Sequence, residues 1–120
     1  MARILISKKG ELLKQIPITA DRTRIGRGPI NQLCFVDSTI SRFHAEIVRR
    51  GFCYVLEDKK SVNGTRLNGS LLAKKEILSD YDEIVIGEYT LVFLSDETDS
   101  PVAVHPESFD ASATVYDLRR

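Results

Sequence analysis

A chain of 120 residues, 42% hydrophobic and 28% charged, has room for one packed domain and a modest tail, and its composition is neither disordered nor fibrous. Its 17 basic and 17 acidic side chains cancel, which excludes the basic excess of a DNA-binding domain. No apolar stretch reaches the length of a membrane span and residues 2–7 carry no cleavage pattern, so a cytoplasmic, reducing setting is expected.

Residues 3–7 read as a strand closed by Lys8-Lys9-Gly10, and residues 11–19 as a second. Pro17 places that second strand, or its end, at a sheet edge. Residues 22–25 form a third strand, stopped by Gly26, and residues 32–36 a fourth. Residues 45–49 alternate apolar and polar as a half-buried strand does, and residues 52–57 return after Gly51 as the hairpin partner. Asn63-Gly64 and Asn68-Gly69 are turn signals, because both residue types tolerate positive φ. Residues 83–86 and 89–94 flank Gly87-Glu88 as another hairpin. No helix is expected before residue 95, and short strands at this spacing predict a two-sheet antiparallel β-sandwich.

The composition changes after Ser95. Residues 1–95 hold 15 basic and 11 acidic side chains, a net of +4; residues 96–120 hold 2 and 6, a net of −4. The division expected is therefore a domain over 1–95 and an acidic, flexible tail over 96–120. Cys34 and Cys53 sit in apolar runs without a metal-ligand pattern and are expected to be buried free thiols.

There is no metal cluster, no glycine-rich phosphate loop before a helix and no nucleophile elbow. Ser41 and His44 could pair as nucleophile and base, but no acid is placed to orient the imidazole, so neither an enzyme nor a cofactor is expected. Three loop segments offer different chemistry: Gly26-Arg27-Gly28-Pro29, residues 38–45 around Ser41-Arg42, and residues 61–65 around Asn63. Guanidinium groups, hydroxyls and an amide at strand ends are the parts of an anion site, since arginine forks onto phosphate oxygens and hydroxyls complete the shell. Solvated turn residues are the plain alternative.

Gly-Arg, then Ser-x-x-His, then Asn-Gly-Thr-x-x-Asn-Gly, in order on an all-strand background, resembles the forkhead-associated (FHA) family over about residues 3–95. The resemblance implies a module that binds phosphothreonine in partner proteins through loops at one end of the sandwich. By position it implies that Arg27 contacts the phosphate or braces the site, that Ser41 and Arg42 contact the phosphate, and that Asn63 bonds the peptide backbone. Gly26, His44, Gly64 and Thr65 would support the loops. The departures are Val62, where the family often has a polar residue, and Asn31-Gln32 in place of Asn-Asp, from which little is expected. Val62 leaves room for a degenerate module that binds a partner, or itself, without phosphate. Thr98 and Thr114 make the acidic tail a candidate ligand for the site, and self-association through the tail is a further expectation. Neither nucleic acid nor membrane is an expected partner.

Overall fold

The structure, a computed structural model, describes residues 2–95 and the backbone of Thr114–Val115. The described residues form twelve strands and no helix. β1 (Arg3–Lys8) and β2 (Glu11–Pro17) make the first hairpin. β10 (Glu83–Ile86) and β11 (Tyr89–Leu94) make another around Gly87-Glu88. With β7 (Arg66–Leu67) and β8 (Ser70–Leu71) they build one sheet in the order β2-β1-β11-β10-β7-β8. The proline expectation agrees with this order, since Pro17 is the last residue of the edge strand β2.

The second sheet contains β3 (Arg22–Gly26), β4 (Leu33–Phe35), β5 (Ala45–Arg50), β6 (Cys53–Asp58), β9 (Glu76–Ile77) and β12 (Thr114–Val115). Its order is β12-β4-β3-β5-β6-β9. The pairs β3–β5, β5–β6 and β6–β9 are antiparallel. β4 runs parallel to β3, and β12 parallel to β4, so this sheet is mixed where a purely antiparallel one was expected. The short connection from Arg27 to Gln32 turns the chain back on itself, and β4 keeps only two residue pairs with β3.

The alternation seen in the sequence becomes the core. Ile4 and Ile6, Ile25, Ile47, Leu56, Ile84 and Ile86, and Leu91 and Phe93 all turn inward and are fully buried. Ring contacts tie the sheets together: Phe35 meets Tyr89 at 4.7 Å and Tyr54 meets Phe93 at 5.2 Å between centroids. Cys34 and Cys53 are free thiols, but neither is buried. Cys34 is half-exposed and Cys53 exposed, because each occupies an outward position of its strand. The tail lies outside the described residues apart from the backbone of Thr114–Val115, which extends the β4 edge. Among the described residues no helix is long and apolar enough to cross a membrane.

Candidate functional site

The three loops singled out in the sequence meet at one end of the sandwich. β3 ends at Gly26, where a side chain could not be accommodated: a Cβ there would lie 2.2 Å from the Arg42 carbonyl oxygen. The absence of a side chain lets two loops run side by side. The Arg27 amide donates to the Ser41 carbonyl at 2.9 Å, and the Gly28 amide to the Arg42 carbonyl at 3.2 Å. Asn31, 5% exposed, fastens them further, its Nδ2 donating to Gly28 O and to Arg42 O, each at 2.7 Å. Arg27 Nε donates to Ile40 O at 3.0 Å, which anchors the inner edge of an otherwise exposed guanidinium.

His44 joins the second loop to the third. Its ring is fully buried, with Nδ1 accepting from the Ser41 amide at 3.1 Å. Nε2 lies 2.8 Å from Gly64 O and must be the donor there, since a carbonyl only accepts. Both ring nitrogens are therefore spent on holding loops, and none is left to take a proton from Ser41 Oγ. Ser41 Oγ instead accepts the Val62 amide at 2.9 Å. Its own hydroxyl proton remains available to an oxygen above the loops. Asn63 Nδ2 reaches back to Thr39 O at 2.8 Å.

Asp58 organises the third loop from beneath. Its carboxylate accepts from Ser61 Oγ at 2.5 Å, the Ser61 amide at 3.0 Å and Thr65 Oγ1 at 2.7 Å. Ser61 Oγ in turn accepts the Gly64 amide at 3.0 Å. Gly64 sits at φ +85°, and a Cβ there would also meet Leu71 Cδ1 at 2.6 Å. Burial pushes the Asp58 carboxyl up, but the hydroxyl bonds from Ser61 and Thr65, the Ser61 amide and the nearby His44 together hold it below its ordinary value.

The arrangement brings Arg27, Ser41, Arg42 and Asn63 to one exposed surface, with Gly26, His44, Gly64 and Thr65 beneath or beside it. Among the described residues neither Arg27 nor Arg42 has a carboxylate partner. The nearby Asp37 is turned to the Thr39 amide and hydroxyl at 2.8 and 2.7 Å. Guanidinium groups without a carboxylate partner and a hydroxyl with its proton free are the kind of groups that bind oxyanions. Val62 is 87% exposed, and it enters the loop network through its amide, which donates to Ser41 Oγ. Sequence reasoning passed over Asn31 and Asp58. Asn31, noted in the sequence only beside the Gln32 departure and given no role of its own, closes the Arg27 loop onto the Arg42 carbonyl. Asp58 could have been found from the Asp-x-x-Ser spacing to Ser61, a pattern by which an aspartate binds the backbone ahead of it.

Comparison with known proteins places this geometry. The FHA domain family model matches residues 23–87. The chain is 37% identical over 93 residues to an oxoglutarate dehydrogenase inhibitor of Corynebacterium jeikeium, covering 77% of this chain and 64% of that protein. It thus spans less than two thirds of that relative's length. It superposes on Mycobacterium tuberculosis EmbR in complex with a low-affinity phosphopeptide, with a TM-score of 0.73 and 31% identity over 78% of this chain and 24% of that one. A structure from a structural and functional analysis of phosphothreonine-dependent FHA domain interactions matches with a TM-score of 0.70 and 26% identity, over 78% of this chain and 94% of that one.

Proposed function

The chain belongs to the FHA domain family, and from that premise we propose that its loop end reads phosphothreonine in partner proteins as a signalling adaptor without catalytic activity. The observation that carries the reading is that Arg27 and Arg42, both exposed and without a carboxylate partner, stand with the Ser41 hydroxyl on loops hydrogen-bonded to one another. The phosphate takes the two arginines and the Ser41 proton. Asn63, its Nδ2 already held by Thr39, offers its carbonyl oxygen to an amide of the bound peptide. His44 supports the loops and moves no proton. A reducing, cytoplasmic setting belongs to the same proposal, in keeping with two free thiols, one of them exposed.

The test is calorimetric titration of the full chain with one peptide in three forms: phosphothreonine, phosphoserine and unmodified threonine. The phosphothreonine form is expected to bind, and the unmodified form to show no measurable heat. A threonine methyl held in a shaped pocket is worth about 0.8 kcal/mol or more, so the phosphoserine form should bind at least roughly fourfold less tightly. Equal binding of the phosphorylated and unmodified threonine peptides would leave a phosphate-independent module instead.

A further inference from the structure

The outer face of the second sheet carries a pattern that the loop end does not use. Cross-strand register sets Arg22, Val48, Val55 and Ile77 in one row across β3, β5, β6 and β9. Val48 and Val55 are half-buried and Ile77 is exposed, so the row is an apolar stripe with an arginine at its end. A cleft of about 290 Å³ lies over it, and a second of about 400 Å³ adjoins the first through Glu57 and Lys75.

The charge on this face is one-sided. The two clefts are lined by six cations, Arg22, Arg50, Lys59, Lys60, Lys74 and Lys75, against the carboxylates Glu46, Glu57 and Asp58. That surplus of three is most of the net +4 of residues 1–95. Glu46, 5% exposed, is taken by Arg22 at 2.5 Å and Lys59 at 3.8 Å, and Lys59 also reaches Glu57 at 3.7 Å. Among the described residues Arg50, Lys60, Lys74 and Lys75 have no carboxylate partner.

The same chain supplies the complement. Residues 96–113 contain Asp96, Glu97, Asp99, Glu107 and Asp110, no Lys or Arg, and the apolar Val102, Val104 and Phe109. Both ends of this segment are tied to described structure. It begins after Ser95, whose amide donates to Asp80 at 2.9 Å. It ends at β12, which lies in the cationic sheet three places from β5. Eighteen residues can reach about 60 Å, against a longest molecular dimension of 38 Å, so the segment is long enough to cross β5 and β6 before entering β12.

We propose that residues 96–113 dock on the outer face of β3, β5 and β6, their acids on Arg50, Lys60, Lys74 and Lys75 and their apolar residues on the Val48–Val55–Ile77 row. Tethering at both ends gives the segment an effective concentration of the order of millimolar, ahead of any acidic partner from solution. Glu46 and Glu57 within the face, together with its apolar row, favour an acidic peptide over nucleic acid or an anionic membrane. The docked tail covers the cationic surplus of the body, in keeping with the zero net charge of the whole chain.

The experiment uses the full, unphosphorylated chain with Cys34→Ser and Cys53→Ser, a nitroxide on Val104→Cys, and nuclear magnetic resonance of the backbone amides. At low salt the amides of Arg50, Val55 and Ile77 should lose at least half their intensity, while Leu12 on the opposite sheet keeps its own. Adding Arg50→Glu and Lys75→Glu, two exposed positions, should restore the intensity, as should about 0.5 M salt, where the Debye length falls to a few ångströms. An unchanged melting temperature checks that the double variant is folded. Undiminished signals on β5 and β6, or broadening indifferent to charge reversal, would overturn the proposal. So would broadening that disappears on dilution, which would assign the contact to a second copy. No phosphopeptide enters the measurement, so its outcome is independent of the phosphothreonine reading.

Discussion

Arg27 and Arg42 stand on the same loops but are held differently. Arg27 is fixed through Nε to Ile40 O, whereas Arg42 is exposed and enters the loop network through its carbonyl, which accepts from Gly28 and Asn31. A pre-positioned guanidinium loses less freedom on meeting phosphate, so Arg27 should carry the larger share of affinity. Removing one partner of a hydrogen-bonded charge pair costs about 2–5 kcal/mol. Arg27→Ala should therefore weaken phosphothreonine peptide binding by roughly 30-fold or more with an unchanged melting temperature. Calorimetry and a thermal melt check both halves; unchanged affinity would remove Arg27 from the site.

Asp58 gives a second expectation at the same scale, with a definite sign. Its carboxyl is held below its ordinary value in the folded chain by the Ser61 and Thr65 bonds. A depressed folded value contributes stability that is present above the unfolded value, near pH 4, and disappears as pH falls through the folded one. Asp58→Asn should therefore melt lower than the parent at pH 7, and the gap should narrow as the pH is taken below about 4. Melts across that range decide it: a gap that stays constant in acid would mean the carboxylate charge contributes nothing.

The elements owe their placement to a few close approaches. Gly26 is an ordinary strand residue by backbone conformation, yet it admits no side chain because the Arg42 carbonyl lies where Cβ would be. Gly26→Ala must push the β4–β5 loop away, and the obstacle is backbone, which yields less readily than a flexible side chain. Overpacking of this kind costs about 1–3 kcal/mol, or roughly 5–20 °C in melting temperature for a domain of this size. Phosphopeptide affinity should fall with it, since Ser41 and Arg42 belong to the displaced loop. Gly28→Ala is the milder companion, meeting the Asn31 side chain at 3.3 Å; equal melting temperatures for the two would show that the Arg42 approach is not the constraint. The two Asn-Gly pairs diverge for a related reason. Asn68 and Gly69 both take positive φ and turn the β7–β8 hairpin as expected, but only Gly64 does so in the other pair. Asn63 is occupied with Thr39 O, twenty-four residues away in sequence.

At the scale of the whole molecule, periodicity and punctuation carried far in the sequence. Alternation marked β5, short apolar runs marked β1, β10 and β11, and turn residues marked the breaks between them, because all of these signals are local. The order of Gly26-Arg27, Ser41-x-x-His44 and Asn63-Gly64-Thr65 was likewise legible, since a loop motif keeps its residue types and spacing whatever the core does. The parallel placement of β4, the two-residue strands β7, β8, β9 and β12, and the half-exposed cysteines were not legible. Segments that short have no period to read, and their pairing is set by neighbours distant in sequence. Asn31 between the loops, Asp58 beneath them and the cationic outer face belong to the same class. Each exists only because residues eleven, seven or dozens of positions apart are brought within a few ångströms, and long-range contact of that kind is decided by sheet packing, not by any local run of side chains.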